Sequence, residues 1–199
     1  MYKANIALIF AFFILTACTG VRLVDSQVSS YAPKPVVAGA SYQFERLPSQ
    51  QANADTQGKL ELLAVAALNK VGLRHKDGKT DLLVQVHATQ RNETTSIDHP
   101  SFGWQIGWFG AGKPGHHGVF ALGNRSLFPG LDERTNYWRE VRLTIRDQAT
   151  QSVVYETRAS HDGPWSDGDV IWPAIFDAAL QGFPQPPAGV RRVGIEVPR

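Results

Sequence analysis

Val141–Arg142–Leu143–Thr144–Ile145–Arg146–Asp147–Gln148–Ala149–Thr150–Gln151–Ser152–Val153–Val154–Tyr155–Glu156–Thr157–Arg158–Ala159 is the stretch whose reading decides the fold. Val141, Leu143 and Ile145 alternate with polar residues, Asp147–Gln148–Ala149–Thr150 has turn chemistry, and Val153, Tyr155, Thr157 and Ala159 alternate again. Period-2 alternation places the apolar set on one sheet face, so the stretch predicts an antiparallel hairpin. Upstream, Leu82, Val84, Val86 and Ala88 mark one face of another strand after an Asp77–Gly78 turn, and Leu83, Gln85, His87 and Thr89 mark the other. Val193, Ile195 and Val197 close the chain in the same pattern, while Tyr42 and Phe44 form a short strand stopped before Pro48.

Two stretches change the period. Leu60, Leu63, Ala64, Ala67, Leu68 and Val71 recur at the spacing of one helical face, with Asn53 or Asp55 available as a cap and Gly72 as a left-handed stop. Trp172, Ile175, Phe176, Ala179, Leu180 and Phe183 predict a second helix, with Asp167 or Asp169 before it, Pro173 in its first turn and Pro184 after it. Strands with one apolar face and two amphipathic helices predict an α+β fold: a mixed, mainly antiparallel sheet carrying both helices on one face.

The chain has 199 residues, about one domain's worth, with 43% hydrophobic and 19% charged residues, which excludes wholesale disorder and fibrous classes. Twenty basic against eighteen acidic residues give a formal charge of +2, too balanced for a nucleic-acid footprint. One cysteine excludes an internal disulfide and any Cys-rich zinc site.

That cysteine closes an N-terminal apolar run. Lys3 supplies a positive start, and Ala4 to Leu15 is almost purely apolar. As a helix the run rises only about 18 Å, short of the roughly 30 Å hydrocarbon core, which favours a secretory signal peptide over a spanning helix. Leu15–Thr16–Ala17–Cys18 resembles the lipobox of bacterial lipoproteins. The resemblance implies cleavage after residue 17 and a diacylglycerol thioether on Cys18, with two or three acyl chains holding the protein to a membrane. Each buried methylene contributes about 0.8 kcal/mol, so several chains anchor stably where one would not. Thr19 stands where an Asp would imply inner-membrane retention, so the expected location is the outer membrane, facing the periplasm.

The expected organisation is a signal peptide at 1–17, a lipid-anchored tether with a candidate first strand at 18–40, and one α+β domain at 41–199. Residues 91–136 form a passage too long for an ordinary connection. Between Pro100 and Gly130 it holds eight of the eighteen glycines, with Phe102, Trp104, Trp108, Phe109, Phe120 and Phe128. The expectation is a long Gly/aromatic-rich insertion.

Taken together, the chain resembles a family of bacterial lipoproteins known only as domain of unknown function four-one-three-six. The resemblance rests on Ser41–Tyr42–Gln43–Phe44–Glu45–Arg46 leading into Gln50–Gln51–Ala52–Asn53, on Ala67–Leu68–Asn69–Lys70–Val71–Gly72–Leu73, and on Asp81–Leu82–Leu83–Val84. The hairpin through Tyr155–Glu156, Gly182–Phe183–Pro184 and Arg191–Arg192–Val193 complete it. It implies a fold and a lipoprotein, with no catalytic residues to carry over.

Chemical motifs are sparse. No G-x-S-x-G occurs, and Ser126 lacks flanking glycines. His99, His116, His117 and His161 with Asp98 or Asp162 fit no metal signature; Asp162, Asp167 and Asp169 lack the EF-hand pattern and suit helix capping. The glycines at 103, 107, 110, 112, 115 and 118 lack the Gly-Lys-Ser/Thr ending of a phosphate loop. Arg142, Arg146, Arg191 and Arg192 read as solvated strand positions. Trp104, Trp108 and Phe109 are the candidate interaction surface, for an envelope protein, a glycan or the lipid interface, against the simpler reading that they pack over the sheet. No catalytic residue, metal ligand or cofactor is assigned. The preferred reading is a non-catalytic interaction or structural lipoprotein, its membrane contact made through acyl chains on Cys18; the alternatives are a periplasmic small-ligand or metal-binding module and a hydrolase of envelope material.

Overall fold

The computed structural model describes residues 20–96 and 133–199. In chain order the elements are β1 (Val21–Tyr31), β2 (Ser41–Phe44), a one-turn α1 (Pro48–Gln51), α2 (Ala54–Lys70), β3 (Arg74–His75), β4 (Leu82–Ser96), β5 (Glu133–Asp147), β6 (Val153–Gly163), α3 (Gly168–Leu180) and β7 (Val190–Pro198). The strands form one seven-stranded sheet in the order β3-β2-β4-β5-β6-β1-β7. β2 runs parallel to both its neighbours, β3 and β4, and every other pair is antiparallel. The mixed, mainly antiparallel α+β sheet expected from the alternation is the fold observed.

The hairpin forms as its pattern dictates. Val141 opposes Ala159, Leu143 opposes Thr157 and Ile145 opposes Tyr155, with a register shift after Ile145. On the other side of β5, Val141 faces Ala88 and Leu143 faces Val86. This apolar face is covered by α2 and α3, which also contact each other; Ala64, Leu68, Ile175 and Phe176 are among their buried residues. Polar residues alternate onto the opposite face, which no helix among the described residues covers. β1, part of the stretch expected to be half strand and half tether, is an interior strand between β6 and β7, with Val24 and Val28 fully buried.

α2 ends where Gly72 predicts. Gly72 adopts φ +89°, its N–H donates to the Asn69 carbonyl (3.0 Å), and the Leu73 N–H donates to the Leu68 carbonyl (3.1 Å). These two bonds satisfy carbonyls that the helix end would otherwise leave bare, in a conformation that glycine adopts without a Cβ penalty. Asn53 is the N-cap of α2, yet its side chain donates back to the Ser49 carbonyl instead of accepting from the helix. α3 begins earlier than its apolar spacing suggests, at Gly168, which places Pro173 inside the helix and not in its first turn. The proline removes the N–H that would bond to the Asp169 carbonyl.

Candidate functional site

Three features of the described residues could carry function, and each is built by strand alternation. The first closes one end of the core. Continuing the buried phase of β5 backwards from Val141 puts Arg139 among apolar residues, where it is 1% exposed. Its Nε donates to Gln90 (3.0 Å), and its Nη groups donate to the carbonyls of Trp165 (3.0 Å) and Ser166 (3.3 Å). The guanidinium also lies over the rings of Tyr137 and Trp172. Burial lowers its pKa, and the charge of Asp167 opposes that shift. Arg139 therefore clasps the loop between β6 and α3.

Arg22 completes this clasp by pairing with Asp167 and lying over Trp165, whose ring stacks on His161. The hydrogen bond from Arg22 holds the Asp167 carboxyl below the usual carboxylate range. His161 Nδ1 donates to the Asp25 carbonyl (2.7 Å), which fixes the tautomer. Its Nε2 and the hydroxyl of Ser26, its cross-strand partner, are buried with no hydrogen-bond partner among the described residues.

The second feature is a groove of about 720 Å³ between the N-terminal halves of the helices. Ala88 and Gln90 line it from the sheet, Leu60 and Leu63 from α2, and Trp172 from α3. Gln50 and Gln57 seal one side by donating to the Val86 carbonyl (2.7 and 3.4 Å), and Arg46 grips Glu61 through two hydrogen bonds.

The uncovered sheet face is the third. Register arranges it in rows: Arg91, Trp138, Asp162 and Asp25; then Thr89, Glu140, Ser160 and Gln27; then His87, Arg142, Arg158 and Ser29. Arg91 lies over Trp138 (4.9 Å), and Asn136 donates to Asp162. Asp25, Gln27, Trp138, Ser160, Asp162 and Arg192 border a depression of about 420 Å³.

The sequence-predicted residues divide sharply. Leu15, Thr16, Ala17 and Cys18 lie outside the described residues, as do Trp104, Trp108 and Phe109, and with them His99, His116, His117, Asp98 and Ser126. The strands run into both flanks of the 91–136 passage, so 97–132 is the part beyond description. His161 and Asp162 are adjacent in β6 and project to opposite faces, so they do not converge. Among the described residues no group of three His, Cys, Asp or Glu could hold a metal ion. Asp167 is the N-cap of α3, without a capping hydrogen bond. Arg191 is not merely solvated: it donates to the Gln181 carbonyl (2.6 Å). Arg139 and Glu140 went unnoticed in the sequence, although the alternation through Val141 already assigns them to opposite faces.

Among the described residues, one mixed sheet carrying the two longer helices on one face defines the class as an α+β domain. More particularly, the chain belongs to the family described as "Domain of unknown function (DUF4136)", whose model matches residues 27–185. No curated protein matches it. Among solved structures it is similar to a point variant of the PelC dodecamer from Paraburkholderia phytofirmans (11% identity, TM-score 0.45, covering 78% of this chain and 94% of that one). It is also similar to the PelC dodecamer in another crystal form (9% identity, TM-score 0.47, covering 81% and 99%). A PDZ domain protein from Parabacteroides distasonis matches at 14% identity and TM-score 0.47, covering 98% of this chain, which spans only 43% of that protein. No residue roles pass from these proteins to this chain. No helix among the described residues is long and apolar enough to cross a membrane.

Proposed function

We propose that the protein is a lipid-anchored envelope lipoprotein, held on the periplasmic face of the outer membrane, whose folded domain is a non-catalytic interaction module. The observation that carries this reading is the sole cysteine, Cys18, closing an apolar run after Leu15–Thr16–Ala17. The position of β1 supports it. Val21 starts the sheet three residues after Cys18, a reach of at most about 10 Å of extended chain. An acylated Cys18 therefore brings that end of the sheet close to the bilayer.

The register adds a second support. Ser26, His161, Arg139 and Gln90 share one row. From that row Val21 lies about 17 Å along β1, and Ser96 and Glu133 lie about 20 Å along β4 and β5 in the same direction. The attachment points of residues 97–132 thus leave the sheet at the anchored end. The groove of about 720 Å³ favours the second reading, a small-ligand module.

Cys18→Ser tests the anchor. The variant is expected to lose metabolic fatty-acid labelling and to leave the membrane fraction; unchanged labelling and partitioning would reject the proposal.

A further inference from the structure

Arg142 and Arg158 sit directly opposite each other on β5 and β6, on the sheet face that no helix among the described residues covers. Like charges so placed repel, and one carboxylate holds both. Arg142 Nε donates to Glu140 Oε1 (2.7 Å) and Arg158 Nε donates to Glu140 Oε2. Glu140 is only 3% exposed, whereas the two arginine side chains are 57% and 54% exposed.

The pinning uses only the Nε edge of each guanidinium. The Nη groups of both have no acceptor among the described residues, although they are the donors best suited to a second oxyanion. His87 lies opposite Arg142 on β4, and the hydroxyl residues Thr89 and Ser160 flank Glu140 in the next row. Glu140 takes one edge of each guanidinium, and Glu156 stands one row beyond Arg158 on the same face of β6.

We propose that Arg142 and Arg158 form a preorganised clamp for a carboxylate-bearing ligand. A planar carboxylate matches the guanidinium fork, which the Nη groups still offer. A doubly charged phosphate would set more negative charge beside Glu140 and Glu156 than a carboxylate does. Fixing both arginines in advance removes part of the side-chain ordering cost that binding otherwise carries. The clamp is independent of how the chain is anchored.

The test is a titration of the full chain in detergent micelles with glutarate, inorganic phosphate, and sodium chloride at matched ionic strength. The readout is the arginine side-chain NMR signals, assigned with Arg142→Lys and Arg158→Lys. Glutarate is expected to shift both arginines saturably and more tightly than phosphate. Each lysine variant keeps the charge but loses the fork, and should weaken glutarate binding about tenfold. Glu140→Gln raises the local positive charge while releasing the pin, and weaker binding is expected. Shifts that follow ionic strength alone, tighter binding of phosphate, undiminished binding in both lysine variants, or tighter binding in Glu140→Gln would each overturn the clamp. If Glu140→Gln does not fold, the lysine variants decide.

Discussion

Replacing Arg139 tests whether a buried cation holds the end of the core together. Arg139→Ala removes three charge-assisted hydrogen bonds, to Gln90, Trp165 and Ser166, and the contacts with Tyr137 and Trp172. Losing hydrogen bonds made by a charged group costs about 1.5–3 kcal/mol each, partly offset by releasing a buried charge, so the net loss should be about 3–5 kcal/mol. Arg139→Met restores most of the volume and carries no charge to desolvate; its cost should be about 1–3 kcal/mol, from the two loop carbonyls left bare. For a domain of this size each kcal/mol lowers Tm by about 2–4 °C, which separates the variants in thermal melts. Urea unfolding gives the free energies directly. A loss below about 1 kcal/mol for Arg139→Ala, or a methionine variant more stable than the parent, would refute the clasp.

Core and acid behaviour follow from the same packing. Phe176→Ala, at a fully buried site on α3, should cost about 3–5 kcal/mol in urea unfolding. The Asp147 carboxylate accepts from the Thr150 N–H (2.7 Å) and hydroxyl (2.9 Å), which lowers its pKa; hydrogen bonds from Ser41 lower that of Asp81, and the bond from Arg22 that of Asp167. Folded values below unfolded ones mean that this stability is complete above the ordinary carboxylate range near about pH 4 and is lost as pH falls through the folded values. Melts between neutral and strongly acid pH should show a steep acid limb that flattens in the Asp81→Asn, Asp147→Asn double variant.

The layers of this fold were legible because burial writes itself as period. Val141, Leu143 and Ile145 showed a half-buried strand, and Leu60 through Val71 showed a helix with one covered face. Gly72 ended that helix through the bonds its type permits. The strand order was not legible, because pairing β1 with β6 and β7 joins residues far apart in the chain without a local mark. The parallel β2 is four residues long and β3 only two, too short for alternation to speak. Arg139 interrupts an apolar phase and looks like a solvent residue until the loop carbonyls that receive it are placed. The positions of Arg142 and Arg158 on the polar face could be read, but not the carboxylate beneath them, since nothing local distinguishes a covered Glu140 from an exposed one.

The interior position of β1 has a consequence for how the chain is made. Its two neighbours, β6 and β7, are the last strands to be synthesised, so the first strand to emerge waits with both edges bare until almost all the rest has followed. Such long-range pairing folds slowly and leaves sticky edges open to other chains. A polypeptide terminated before Val190 would keep one of those edges permanently, and should be found by chaperones and proteases before it reaches its destination.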